Sequence, residues 1–151
     1  MSGMLLLALI MRWAHIFAAI TAVGGAIFMR VVYLPAASAL PEEAATRLRQ
    51  PLMRRWKMIV HTCILVFLVS GLYNYLVITG PAHHGQPLYH ALFGVKFLLA
   101  LVVFSLALAL TSTSGFGAGL RRRGPVGLTL LVVLMVVIVL ISGVLKVVLA
   151  P

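Results

Sequence analysis

The stretch Arg12 to Ala37, RWAHIFAAITAVGGAIFMRVVYLPAA, is apolar over most of its length yet opens on an arginine and a histidine. An apolar run of about 20 residues is what an α-helix needs to cross the hydrocarbon core of a bilayer. The whole chain has the same character. Of its 151 residues, 63% are hydrophobic and only 9% are charged, far from the composition of a soluble domain. The sequence is therefore that of an integral membrane protein, and Arg12 and His15 are the residues it must account for.

Four apolar runs occur, near 5–34, 58–79, 91–111 and 126–150. They predict an all-α fold, a single membrane domain covering 1–151 and built as a four-helix bundle. The first run is too long for a signal peptide, carries Arg12 and His15 within it, and lacks a small-residue cleavage site before a soluble chain, so it is read as the first span.

The net charge of +10 would suggest nucleic acid in a soluble protein, but its distribution points elsewhere. Nine of the twelve Lys and Arg residues lie between Arg30 and Lys57 or at Arg121 to Arg123, in the two connections that four spans place on one side of the membrane. The remaining connection, GPAHHGQPLYH, has neither Lys nor Arg. The positive-inside rule then puts the basic connections in the cytoplasm and both termini outside. The excess is a topology signal and a contact for anionic lipid, with no nucleic-acid partner.

In the first cytoplasmic connection, SALPEEAATRLRQP places two acids after Pro41 and basic residues before Pro51. These start and stop signals predict a short amphipathic helix at the interface, with Leu40, Ala44 and Leu48 on its apolar side. The second connection, STSGFGAGLRRRGP, is rich in Gly and Ser. Cys63 is the one cysteine, lies inside the second run and is read as packing.

Helical spacing sorts the polar residues onto faces. Arg12, His15, Ala19, Ala22, Gly25 or Ala26, and Met29 share a stripe with small side chains, which lets helices approach closely. Ser70, Gly71 and Asn74 form a patch on the second helix, with His61 and Tyr75 on another side. Tyr89, Phe93, Lys96, Ala100, Val103 and Ala107 share a face of the third, and Met135, Val139, Ser142, Gly143 and Lys146 a face of the fourth. From the run midpoints, His15 lies about 5 Å outward, Asn74 and Lys96 about 9 Å, and Lys146 about 12 Å. His61 lies about 10 Å the other way, near Arg54, Arg55 and Lys57. His15 and His61 are thus too far apart in depth to hold one haem between them.

Ionisable groups inside a membrane are expensive and mark functional sites by default. His15 is open to two readings, a hydrogen-bonded histidine between helices or a ligand to haem iron completed by Met11, Met135, a lysine or water. Lys96 shares its layer and is a candidate partner for an anionic group. Lys146 can snorkel outward, His61 reads as structural, and Arg54, Arg55 and Lys57 as anchors or carboxylate contacts. The outer histidines His83, His84 and His90, with Met1, Met4 and Met11 on the same side, suit copper, although their spacing is no defined metal motif.

Four segments, WAHIFAAITAVGGAIFMRVVYLPAA, RRWKMIVHTCILVFLVSGLYNYL, LFGVKFLLALVVFSLALAL and VLISGVLKVVL, resemble the successive helices of the CopD and HemJ type membrane proteins. The resemblance covers nearly the whole chain. It matches His15 to the first-helix histidine of the HemJ-type protoporphyrinogen oxidases, Lys57 before Gly71 to the basic residue opening their second helix, Lys96 to their third-helix lysine and Lys146 to the lysine closing their fourth. It implies a haem b protein in a bacterial-type inner membrane, passing electrons from a porphyrinogen toward the respiratory chain. The Asn-Glu pair that opens the fourth helix of those oxidases is absent from GPVGLTLLVV, and Glu42 and Glu43 are the only acids. The segments LPAASALP and SGLYNYL look closer to the CopD copper-resistance branch.

The leading expectation is a haem-b-type electron-transfer protein, with His15 on the iron and Lys96, Asn74, Arg12, Lys146 and Lys57 around the cofactor. His61 is the alternative ligand. A copper-handling protein using His83, His84 and His90 is the second expectation. The third is an accessory subunit packed in a respiratory or other membrane complex, or on a second copy of itself, through its small-residue faces.

Overall fold

The structure is a computed structural model that describes residues 3–112, 117, 119–120 and 124–148. Arg121 to Arg123, Met1 and the last residues of the fourth run lie outside them. The described residues form four long helices: α1 (Gly3–Ser38), α2 (Glu42–Ala82), α3 (Pro87–Thr111) and α4 (Gly124–Val147). All four are long and apolar enough to cross a membrane, which makes the chain a multi-pass membrane protein.

The helices are unequal. α3 and α4 have 25 and 24 residues, whereas α1 has 36 and α2 has 41, about 54 and 61 Å of helix. Hydrocarbon about 30 Å thick leaves the joined ends of α1 and α2 well outside it. They form a helical hairpin whose tip is the connection around Leu40 and Pro41. Glu42 and Glu43 occupy the first turn of α2, where acids complement the helix dipole.

The segment expected to be a separate amphipathic helix is instead the start of α2. Pro51 sits inside this helix rather than ending it. A proline removes one hydrogen bond and crowds the carbonyl four residues back, but the turns on both sides keep theirs. Leu40 and Leu48 are exposed on the hairpin.

Packing divides the bundle into two closely packed pairs, α1 with α2 and α3 with α4, which meet less extensively through α2 with α3 and α1 with α4. Gly25 makes the first pair possible. A Cβ added to Gly25 would fall 2.2 Å from the Trp56 ring, so the indole occupies the space that any other residue would need. A small core of Ala26, Val60, Val103, Ala107 and Leu131 joins the pairs on the side of the hairpin. Arg30 on α1 donates from Nε to the Thr129 hydroxyl of α4 at 2.8 Å, and Thr129 donates to the Pro125 carbonyl.

Two wide π-type turns interrupt the α-helical register. One spans Met29–Tyr33 in α1 and buries both end residues. The other spans Asn74–Thr79 in α2 and closes with the Gly80 N–H donating to the Tyr75 carbonyl. A Cβ on Gly80 would stand 2.6 Å from that carbonyl oxygen, so the turn requires glycine there. Such turns are rare in helices and recur where a side chain must be re-aimed.

Candidate functional site

Between the two helix pairs lies a cavity of about 1860 Å³. Ligand sites are more often ~300–1,000 Å³, so this space is not limited to a small ion. Its middle is walled by apolar side chains such as Ala22, Phe67, Phe104 and Met135. Polar side chains line both ends, with Ser38, Glu42, Thr46 and Arg49 toward the α1–α2 hairpin and Arg12, His15, Asn74, Lys96 and Lys146 toward the other end.

His15 is the best-positioned of these. Its Nδ1 lies 2.8 Å from the Oγ of Ser70 on α2, and Ser70, almost fully buried, also binds the Val66 carbonyl. Ser70 has one hydroxyl proton, and the carbonyl can only accept. Both bonds are made when Ser70 donates to Val66 and His15 donates from Nδ1 to Ser70. The imidazole then carries its lone pair on Nε2. Among the described residues no buried side-chain nitrogen or oxygen lacks a partner, and Nε2 makes no hydrogen bond, so it is open to the cavity that His15 lines. The ring is seated edge-on to Phe67, with centroids 5.1 Å apart, and lies over Gly71.

Lys96, Asn74, Arg12 and Lys146 line the same cavity from α3, α2, α1 and α4. Lys96 is half-buried and near enough for its charge to act on His15. Asn74 donates from Nδ2 to the Ser70 carbonyl at 2.8 Å, which ties it to the segment that holds His15. Arg12 and Lys146 are more exposed and stand at the rim. Of Glu42 and Glu43, the only acids, Glu42 lines the same cavity at its opposite, hairpin end, together with Arg49, and no hydrogen bond or ion pair joins it to Lys96, Arg12 or Lys146 among the described residues. The one ion pair among the described residues joins Arg47 to Glu43, in the hairpin.

Of the other candidates, only His83 lines the cavity. His61 is exposed on α2, outside the cavity, and donates from Nδ1 to the Lys57 carbonyl of its own helix at 2.7 Å. Lys57 does not line the cavity. His83 is buried, stacks on Tyr89 with centroids 3.6 Å apart, and donates from Nδ1 to the Thr79 carbonyl. His90 has both ring nitrogens in hydrogen bonds, to Tyr75 and to the His83 carbonyl, while His84 is exposed. No group of three His, Cys, Asp or Glu side chains is placed to share a metal ion among the described residues.

The predicted face of α3 lies along the cavity from Tyr89 to Ala107, as do Met135, Val139, Ser142 and Lys146 of α4. Tyr75 differs. Expected away from the Asn74 side, it also lines the cavity, at the π-type turn. The Ser70 contact to His15 had a legible signal, since rise per residue puts the two within ~5 Å in depth. The Tyr75 to His90 bond had none.

Fold and site together define a class, a four-span helical membrane protein with a cationic, histidine-bearing cavity between two helix pairs. No protein-family model, curated protein or solved structure matches the chain.

Proposed function

We propose that the chain is a haem-b-type electron-transfer protein, similar to the CopD and HemJ proteins, in a bacterial-type cytoplasmic membrane with both termini on the outer side. The observation that carries this reading is the pairing of an imidazole whose Nε2 opens on a large apolar cavity with Lys96, Arg12 and Lys146 at the same end of that space, away from Glu42. Cations in a membrane interior are costly without counter-charge. A flat, apolar macrocycle bearing carboxylates supplies both the surface for the cavity wall and the charge for Lys96, Arg12 and Lys146.

The residues present fit such a group. His15 would hold the iron through Nε2, with its ring orientation fixed by Ser70 in the way that ligating histidines commonly donate their other nitrogen to a neighbour. Lys96 and the rim cations would hold the carboxylates, and Phe67 and Phe104 would exclude water from the ring faces. When bound, haem b supplies one-electron oxidation and reduction. What the chain contributes is orientation, a low-dielectric wall and positive charge.

The absorption spectrum of the purified protein tests this. A Soret band that His15→Ala removes and His61→Ala leaves intact is expected. A colourless preparation that retains copper through dialysis would overturn the reading in favour of copper handling, and a chain with neither that copurifies with other subunits would favour the accessory role. Loss of the band in His61→Ala alone would overturn the site assignment.

A further inference from the structure

A packed waist separates the two polar ends of the cavity. Ala26, which is fully buried, joins the helix pairs there with Val103, Ala107 and Leu131. Along α1 the waist stands about 17 Å from His15 and about 18 Å from Ser38. A group held at His15 leaves the hairpin end to a different occupant.

Glu42, Thr46 and Arg49 follow spacings of four and three at the start of α2, so they share one face, and all three line the cavity. Glu43 and Arg47, on the neighbouring face, pair with each other at 3.7 Å. Glu42 and Arg49 make no hydrogen bond or ion pair among the described residues. They lie about 10 Å apart along the helix, farther than the three or four residues over which helix neighbours pair. Opposite charges held apart on one face suit a ligand that carries both charges itself.

The antiparallel hairpin fixes their level. Gly25 meets Trp56, and seven residues toward the tip from that contact bring Arg49 level with Val32, two residues beyond Arg30. Arg30 in turn bonds Thr129, five residues into α4. A helix of 24 residues is about 36 Å long and exceeds ~30 Å of hydrocarbon by about 3 Å at each end, so Arg49 stands close to the hydrocarbon edge. Glu42 is about 10 Å farther out. Toward the waist the cavity is walled by Tyr33 and Leu34 of α1, Met53 and Trp56 of α2, Leu110 of α3 and Leu128 of α4. From the bilayer centre outward the order is therefore apolar wall, cation, anion. An amine-bearing phospholipid has the complementary order of acyl chain, phosphate, ammonium.

We infer that the hairpin end of the cavity binds one phospholipid with a primary-amine headgroup, of the phosphatidylethanolamine class. Its phosphate accepts from the Arg49 guanidinium, its ammonium donates to the Glu42 carboxylate, and an acyl chain lies between the helix pairs below them. The lipid enters sideways from the bilayer, because the pairs meet less extensively along α2–α3 and α1–α4 than within themselves. A choline headgroup has no N–H to donate, and a glycerol headgroup has no cation for Glu42. The site lies across the waist from His15, so the inference does not depend on haem.

Native mass spectrometry of the whole chain, released from nanodiscs with equal parts of phosphatidylethanolamine, phosphatidylcholine and phosphatidylglycerol, reads the bound lipid by its mass. One ethanolamine lipid is expected to be retained in preference to the other two. Arg49→Gln is expected to lower its retention about threefold to tenfold, between the effects of an exposed ion pair and of a charged hydrogen bond. Glu42→Gln is expected to abolish the preference for ethanolamine over glycerol without lowering retention of the glycerol lipid. Arg47→Gln, on the other face, is expected to leave the profile unchanged. All three positions are exposed, and an unchanged thermal midpoint checks that the variants fold. Equal retention of the three lipids by the wild type, preference for the glycerol lipid, or a wild-type profile in both Glu42→Gln and Arg49→Gln would overturn the site. Equal loss in Arg47→Gln would mean that the net charge of the hairpin selects the lipid, and it too would overturn the site.

Discussion

Nδ1 of His15 and Oγ of Ser70 lie 2.8 Å apart across the α1–α2 interface, and this one bond decides which nitrogen of the histidine faces the cavity. A ring without that partner is free to rotate or to take the other tautomer.

Ser70→Ala is therefore expected to weaken haem binding about 10–100-fold, the usual cost of losing the group that orients a ligating histidine. Ser70→Thr retains the hydroxyl and is expected to bind nearly as the wild type does. Soret-band titration of the stripped protein with haem b measures both. Equal affinity of wild type and Ser70→Ala would show that the bond does not seat the ligand.

Lys96, Arg12 and Lys146 are expected to recognise carboxylate, which separates them from residues that only fill space. Lys96→Met removes the most buried of them. A hydrogen bond to a charged group is worth ~1.5–3 kcal/mol, so haem b is expected to bind about 10–100-fold more weakly. Haem b dimethyl ester, which has no carboxylate to pair, is expected to bind both proteins alike. If the ester loses as much affinity as the free acid, Lys96 acts through the shape of the cavity and not through its charge.

The same substitution at two glycines is expected to have different effects. Gly25→Ala drives a Cβ to 2.2 Å from the Trp56 ring, a rigid group that must move as a whole. Overpacking of this kind costs ~1–3 kcal/mol. Gly71→Ala brings its Cβ to 3.5 Å from Cε1 of His15, an ordinary van der Waals contact, and gains helix propensity of ~1 kcal/mol. Thermal unfolding in detergent, followed by tryptophan fluorescence, should show a lower midpoint for Gly25→Ala and an equal or higher one for Gly71→Ala. A Gly25→Ala variant as stable as wild type would mean that the indole has another place to go.

These contrasts mark where the sequence could be read. The face of α3 from Tyr89 through Lys96 to Ala107 follows from spacings of three and four because α3 is an unbroken α-helix, and depth alone brings His15 near Ser70, Asn74 and Lys96. Tyr75 escapes the same reasoning because it sits in a π-type turn that depends on Gly80 closing over its carbonyl, a long-range consequence of backbone geometry. The segment between Pro41 and Pro51 reads as a separate helix because Pro51 and the charges signal a stop, whereas the loss of one hydrogen bond in a 32-residue α-helix, Glu42–Tyr73, is tolerated. The partners of His83 and His90 depend on how the turn between α2 and α3 folds, and a histidine count cannot say whether the nitrogens bind a metal or a carbonyl.

The long α1–α2 hairpin sharpens the question of sidedness. It carries Arg47, Arg49, Arg54 and Arg55 at the end of the bundle opposite His84, so the proposed topology, by the positive-inside rule, predicts a cytoplasmic hairpin and an α2–α3 turn on the outer side. Thr46 and His84 are both exposed, and the single cysteine, Cys63, is buried in the bundle. In a Cys63→Ala background, Thr46→Cys is expected to react with a membrane-impermeant maleimide only in inside-out vesicles and His84→Cys only in right-side-out ones. The reverse pattern would invert the topology and put His15, Lys96 and the Tyr75–His90 pair near the cytoplasmic face. Labelling of Thr46→Cys from neither side would mean instead that the hairpin lies in the headgroup layer, with Leu40 and Leu48 turned toward lipid.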